Sequence, residues 1–446
     1  MSLQKRLSEQ AAEIKNVKIK HSEREVDPYY ELKVKIQNKV IEELEIDFNE
    51  ISDKNEKLKR EINEIISKNI EEESLNMTNI QKDKIKEDLL NEIIGFGPIT
   101  TFLEDKSVTE IMVNGPNHIF IEQEGKLVRT DARFKDNNHV LHVIKKIVAP
   151  IGRRIDESSP MVDARLPNGS RVNAIIPPLA IDGPSITIRK FSEDPYMVED
   201  LISFGTLNSK MAELLKLCVL GHLNIVVSGG TGSGKTTTLN VLSSFIPEEE
   251  RIVTIEDAAE LQLNQTHVVR LETRPANIEG KGEISIRDLI KNSLRMRPDR
   301  IIVGEVRSGE SLDMLQAMNT GHDGSLTTGH ANSPRDMLSR LETMVLMSGM
   351  NLPVKAIRDQ IASAIDLIIQ QSRLVDGSRK ITHITEVQGM EGDVIILQDI
   401  FRFEPKGLDS KGKLQGDYEF TGIMPKFFNK LKDRSVHVPE NIFTNI

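Results

Sequence analysis

The chain has no tryptophan, one cysteine and only 4% aromatic residues among 446. So few rings leave little material for the stacking platforms on which single-stranded nucleic acids lie. A lone cysteine, Cys218, can neither close an intramolecular disulfide nor build a cysteine-based zinc site, and its apolar setting (LLKLCVL) predicts a buried thiol. Positive charge is not in excess either: 58 Lys and Arg face 68 Asp and Glu, a formal net charge of -10. Proteins that neutralise nucleic-acid phosphates usually show the opposite balance, although a local basic patch can sit inside an acidic whole. No stretch reaches the roughly 18 uninterrupted apolar residues of a membrane-spanning helix. The opening MSLQKRLSEQAAEIKN has no apolar core of a signal peptide. These absences predict a cytoplasmic protein with no transmembrane segment of its own and no nucleic-acid partner. If it works at a membrane, it docks on something already there.

Hydrophobic residues at 38% and charged residues at 28% suffice for proper cores, and at ~100–200 residues per domain the length implies two or three domains. Residues 1–80 are dense in Lys, Glu, Asn and Ile. Within them Leu58, Ile62, Ile65, Ile66 and Ile70 recur at helical spacing, which predicts an N-terminal helical extension. Residues 81–189 read as a small α+β domain. A helix (IKEDLLNEIIGFG) leads to a strand at Val108–Val113, two strands flank a turn at Glu124-Gly125, and a helix falls near Val140–Val148. Short β-rich runs follow, punctuated by Asn-Gly, Asp-Gly and paired prolines. Residues 190–200 resemble a linker. From 201 to 446 short apolar strands (NIVVS, RIVTI, HVVRL, RIIVG, GSLTT) alternate with helical segments, the pattern of a parallel sheet with helices on both faces.

Four segments carry chemistry. GGTGSGKT, Gly229 to Thr236, fits G-x-x-x-x-G-K-[ST] after a predicted strand and at the start of a helix. Its residues Gly229, Gly230, Thr231, Gly232, Ser233, Gly234, Lys235 and Thr236, with Thr237 behind them, would cradle the phosphates of ATP. Backbone N–H groups and the positive end of the helix would face the anion. Lys235 would pair with the β- and γ-phosphates, and Thr236 would offer its hydroxyl to Mg²⁺. RPDRIIVGE, Arg297 to Glu305, has the form of a Walker B strand, but Gly304 stands where the strand-end Asp usually does. That favours Glu305 as the group that orients the attacking water over a direct metal ligand. In TIEDAAEL, Glu256 and Asp257 would emerge at the carboxyl edge of the sheet, where such folds bind ligands. Glu256 is therefore a catalytic candidate and a second candidate for the metal. GSLTTGHANSP delivers Thr327, Thr328 and His330 to the same edge, with His330 a candidate sensor of the γ-phosphate.

In this order the four segments resemble the type II/IV secretion ATPase superfamily, whose members carry a Walker A, an Asp box, an atypical Walker B and a His box. VTEIMVNGPNHIFIEQEGKL, DARLPNGSRVNAIIPP and the tail HITEVQGMEGDVIILQDIFRFE look like the CpaF branch, the motor of tight-adherence (Tad/Flp) pili. The likeness runs from about residue 81 to the end and leaves the first 75 residues outside. The single cysteine excludes the four-cysteine zinc insertion of some general-secretion relatives.

The resemblance implies a RecA-like P-loop ATPase domain behind the smaller α+β domain, and a ring, generally a hexamer, with nucleotide between the two domains. It also implies ATP and Mg²⁺ as ligands and an inner-membrane platform protein as partner, with the motor peripheral at the inner face of the membrane. Arginines of the N-terminal domain and linker approach the terminal phosphate in that family. Arg165, Arg171 and Arg189 match by position, and Arg295 and Arg307 flank the Walker B strand. Alternatives of other classes are a nucleic-acid motor, a conjugation-type secretion ATPase, a non-hydrolysing scaffold and a small-molecule kinase.

Overall fold

The computed structural model describes residues 29–44, 56–73, 77–123, 125–191, 195–276, 281–410, 412–439 and 442. They fall into two compact units, residues 1–192 and 193–446.

The first unit opens with helices α1 (Tyr30–Leu44), α2 (Glu56–Glu73) and α3 (Asn79–Ile93). Each turns one apolar stripe to a shared core of Ile36, Val40, Ile62, Ile66, Ile70, Ile85, Leu89 and Ile93. The periodic isoleucines therefore do form a helix and bury one face, with Ile65 packed alongside; the side chain of Leu58 lies outside the described residues. Thr78 caps α3 and exchanges hydrogen bonds with Gln81 in a capping box. After the short helix α4 (Thr100–Glu104) come β1 (Val108–Asn114), β2 (Ile119–Gln123), β3 (Lys126–Arg129), α5 (Asn137–Val148), β4 (Met161–Arg165), β5 (Arg171–Ile175) and β6 (Ser185–Arg189). The strands form one sheet in the order β3-β2-β1-β6-β5-β4, every neighbouring pair antiparallel. Its inner face and the apolar stripe of α5 (Val140, Val143, Ile144, Ile147, Val148) share a second core. Lys146, in the last turn of α5, donates to the carbonyls of Ile93 and Gly95 at 2.8 and 2.7 Å and closes the end of α3. The expected turn at Glu124-Gly125 includes residue 124, which lies outside the described residues; β2 and β3 pair on either side of it.

The second unit begins with α6 (Val198–Ser203) and α7 (Ser209–Leu220), then β7 (Ile225–Gly229), α8 (Lys235–Ser243), β8 (Ile252–Glu256), β9 (Val268–Glu272), α9 (Ile286–Ser293) and β10 (Arg300–Val303). α10 (Glu310–Asn319), β11 (Leu326–Gly329), α11 (Pro334–Met347) and α12 (Val354–Ala364) follow. The unit closes with β12 (Leu367–Arg373), β13 (Arg379–Glu391), β14 (Val394–Leu408), β15 (Leu414–Phe420) and α13 (Phe428–Asp433). One nine-stranded sheet runs β15-β14-β13-β12-β7-β11-β10-β8-β9. From β12 to β9 it is parallel. Strands of this part are covered on both faces: Ile225 and Val227 of β7 join the core with α7 and α8, while Val226 between them joins the core with α10 to α12. Cys218 lies in the first of these cores with no exposed surface, and burial pushes its thiol pKa up.

The five strands expected to form a parallel sheet do so, as part of a larger mixed sheet. β13, β14 and β15 add three antiparallel strands beyond β12. The long strands β13 and β14, 13 and 15 residues, are joined by a tight turn too short for a crossover helix. The fold is that of a RecA-like α/β domain, with a smaller α+β domain and a helical segment ahead of it in the chain.

Candidate active site

Every sequence-singled segment of the second unit ends at one edge of the parallel sheet. β7 runs into the glycine loop, and α8 starts at Lys235 directly behind it. A Cβ on Gly229 would lie 2.2 Å from the Gln371 carbonyl oxygen and 2.6 Å from the Ser233 hydroxyl, so only glycine fits. Gly232 and Gly234 take φ of +69° and +95°, a region that strains other residues. Gly234 is the N-cap of α8 and offers no side-chain cap, so the amides of the first turn stay available to an anion. The Ser233 hydroxyl donates to the Gly230 carbonyl at 2.9 Å and holds the loop curled. Thr231 and Gly232 are exposed at its tip, and Thr236 and Thr237 are half-buried in the first turn of α8. The Thr236 hydroxyl is the residue here that would suit Mg²⁺ beside a bound phosphate.

From Lys235 a continuous polar relay crosses the sheet edge. Its ammonium, on a side chain that is almost buried, donates to the Gly230 carbonyl at 3.0 Å and lies 3.3 Å from His330 Nδ1. His330 Nε2 is 2.9 Å from Glu305 Oε1. The other oxygen of Glu305 accepts from Arg307 at 2.7 Å, and Arg307 reaches Asp257 at 3.3 Å. Burial lowers the pKa of His330, and the Lys235 charge lowers it further. A neutral imidazole fits the Lys235 contact, Nδ1 accepting from the ammonium, while Nε2 lies close to the Glu305 carboxylate without hydrogen-bond geometry. The hydrogen bond to Glu305, followed by its charge, holds Arg307 more firmly protonated. An open cavity of about 540 Å³ adjoins this relay, walled by Arg307, His330, Arg340, Met344 and Met347 among others.

Glu256 has a different place. It is 4% exposed, and its Oε2 accepts from the amides of Glu260 and Leu261 at 2.7 and 3.1 Å, pinning the loop after β8. It also explains Gly304: a Cβ there would stand 2.9 Å from the Glu256 Cγ. The room for the usual strand-end side chain is filled from the neighbouring strand. Asp257, the next residue, is the one that joins the relay. Thr328, buried, donates to the Gly304 carbonyl at 2.8 Å and fixes the turn that presents Glu305. Arg295 precedes β10 and is exposed, at the end of that strand opposite Glu305.

The three candidate arginines of the first unit form a row of their own. Arg165 pairs in register with Arg171, Arg171 with Arg189, and Arg189 with Glu110. Cross-strand partners share a face, and this is the face away from the core, where Arg189 lies 3.8 Å from Glu110.

Two residues beside the loop had no signal in the sequence. Gln371 on β12 accepts from the Thr238 hydroxyl of α8 at 2.7 Å, and Arg379 on β13 donates to the Gly232 carbonyl at 3.0 Å. Both depend on strand pairing more than 130 positions away along the chain.

Known proteins resemble this chain over most of its length. A family model described as type II/IV secretion system protein matches residues 92–408. A second, described as the N-terminal domain of type II secretion system protein E, matches residues 29–94, so the likeness extends into the helical segment that the motifs left outside it. A putative conjugal transfer protein of Mycobacterium tuberculosis is 35% identical over 69% of this chain and 88% of its own length. An uncharacterised protein of Methanocaldococcus jannaschii is 47% identical over 52% of this chain and 34% of its own. The crystal structure of the VirB11 ATPase from the Brucella suis type IV secretion system, in complex with sulphate, is 30% identical over 64% of this chain and 94% of that one, with a TM-score of 0.35.

Proposed function

The chain belongs to the type II/IV secretion system protein family and is an ATPase, and we propose that it drives assembly of a Tad/Flp-type pilus, or protein export, through an inner-membrane platform. The observation that carries the reading is the relay from Lys235 through His330 to Glu305. It joins the group that would grip the β- and γ-phosphates to the group that would orient water. When nucleotide enters the loop, Lys235 exchanges its contacts with the Gly230 carbonyl and His330 for phosphate oxygens. His330, relieved of the ammonium, then reports an occupied phosphate site to Glu305. Mg²⁺ bound with the nucleotide on the Thr236 hydroxyl would neutralise part of the phosphate charge.

The remaining parts follow from the family resemblance. The working form would be a homo-oligomeric ring, a hexamer, in the cytoplasm against the inner face of the membrane; no helix among the described residues is long and apolar enough to cross one. The arginine row Arg165, Arg171 and Arg189 would supply a guanidinium to the terminal phosphate, a contribution worth about 10³–10⁵ in rate in other P-loop enzymes. The CpaF-like segments favour pilus assembly. A second reading, a conjugation-type secretion motor, is favoured by the name of the M. tuberculosis relative.

The test is steady-state ATP hydrolysis by the purified chain, wild type against Lys235→Ala, with and without single-stranded DNA. Turnover lost in the variant and indifferent to DNA supports the pilus or secretion motor. Near-normal turnover in Lys235→Ala sinks the phosphate-loop assignment, and strong stimulation by DNA moves a nucleic-acid motor ahead of it.

A further inference from the structure

The phosphate loop has two flanks. On one stand Lys235, His330 and Glu305. The other faces the hairpin of β12 and β13, which the family motifs do not include. Here Gln371, paired in register with Gly229, packs its backbone oxygen where a Gly229 Cβ would go. Two residues further along this hairpin, Arg373 and Arg379 pair with each other, and both guanidinium-bearing side chains reach the loop. A Cβ on Gly232 would lie 3.8 Å from Arg373 NH1, and one on Gly234 would lie 3.3 Å from Arg379 Cδ. Arg379 Nε donates to the Gly232 carbonyl at 3.0 Å.

That bond has a directional consequence. The Gly232 carbonyl and the Ser233 N–H belong to one rigid peptide plane and point opposite ways. Tying the oxygen to Arg379 fixes where the Ser233 N–H points, which is to the Gly230 carbonyl at 3.4 Å, the same oxygen that the Lys235 ammonium contacts. Phosphate loops work only if successive N–H groups converge on one anion. A loop with four glycines among Gly229 to Gly234 is the segment most free to turn such a plane over, because glycine visits both signs of φ at similar cost.

The strand carrying Arg379 is itself anchored. The next residue, Lys380, donates to the Gly205 carbonyl, the Ile381 amide donates to the Thr206 carbonyl at 2.8 Å, and the Tyr418 hydroxyl reaches both carbonyls at 2.9 and 2.6 Å. A guanidinium delivered from a fixed strand is pre-organised for its acceptor.

We infer that Arg379 is a positioning residue for ATP binding: from the flank opposite the hydrolytic relay it locks the Gly232–Ser233 peptide with its N–H on the side of Lys235, both donors resting on the Gly230 carbonyl until a phosphate takes them over. It acts on the loop and not on the reacting atoms, so it sets affinity for any nucleotide that carries a β-phosphate. It has no direct part in water attack. The inference rests on the chain's being an ATPase.

The experiment compares Arg379→Met, Arg379→Lys and wild type, measuring KM and kcat for ATP and calorimetric binding of ADP. Methionine keeps an aliphatic stem beside Gly234 and removes the donor, whereas lysine keeps one donor. Because the bond is exposed, Arg379→Met is expected to raise KM and the ADP Kd about 3- to 10-fold, with kcat within about twofold. Arg379→Lys should recover most of the loss. The inference is overturned by an Arg379→Met variant with wild-type KM and ADP affinity, or by one whose kcat falls at unchanged KM, which would put the guanidinium in the transition state. An inactive wild type would instead strike the ATPase reading itself.

Discussion

The ATPase unit uses the same three residue types twice, at opposite ends of its parallel sheet. At the carboxyl edge Glu305 is held by His330 and Arg307. At the amino edge Glu250 is held by His222 at 3.3 Å and by Arg300, whose guanidinium also reaches the Gly324 carbonyl. The trios differ in their exposure to water. The Arg300 side chain has no exposed surface, whereas that of Arg307 is 59% exposed. At Glu250 burial alone would push the carboxyl up, but the hydrogen bonds from His222 and Arg300 and then their charges pull it down to about 2. The amino-edge trio is a rivet: both charges are committed and neither can leave. The carboxyl-edge trio is poised, because Lys235 on one side and solvent on the other offer its members alternative partners.

The comparison breaks first on stability. Glu250→Gln leaves the Arg300 guanidinium buried without its counter-charge, a change that costs about 3–5 kcal/mol. Urea denaturation at neutral pH checks it, and a loss no larger than that of the corresponding active-site change would make the two trios equivalent. The sign of the pH dependence follows from the depressed carboxyl. The folded value lies below the ordinary 4.5, so this stability is fully present above pH 4.5 and is lost as pH falls toward about 2. The corresponding change at the other edge, Glu305→Gln, should cost less than about 1 kcal/mol of stability, since water can replace the partner of an exposed arginine. Its effect belongs to turnover: kcat down by about 10²-fold or more with ATP still bound, read by single-turnover hydrolysis beside a binding titration. Failure to bind ATP would instead give Glu305 a metal-holding or structural part.

How much of this could be read from the chain depended on whether a residue's partner was local. Gly229, Gly234 and Lys235 were legible because the loop's backbone admits few other residues, and the isoleucines of α2 because burial on one helix face imposes a period of 3.6. Gly304 read as a departure from the usual strand-end acid. The reason, Glu256 filling its space, sits 48 positions earlier on a neighbouring strand and leaves no local trace. Arg300 carried no signal of its own, because its partner Glu250 is 50 positions away. β13 to β15 were missed as an antiparallel extension, and Arg379 with them, since strand order is a tertiary choice that alternation in β13 (buried and half-buried residues intermixed) does not announce.

The smallest expected effect separates the two trios by their acid limbs. His330 carries a lowered pKa, from burial first and from Lys235 next, so it is neutral above pH 6.5 and takes up its proton only below that. Protonation puts a hydrogen on Nδ1, 3.3 Å from an ammonium, and the contact that joins the phosphate loop to Glu305 becomes repulsive. Hydrolysis should therefore be flat from about pH 7 to 8 and fall severalfold on acidification below pH 6.5, well before Glu250 begins to cost stability. His330→Gln keeps a donor and an acceptor but cannot titrate. It should run somewhat slower at neutral pH and lose the acid limb, in kcat/KM from initial rates at low ATP, which report the free enzyme in which Lys235 still faces His330. An acid limb that survives in His330→Gln would assign it to another group, and the carboxyl-edge trio would then be as fixed as the one at the amino edge.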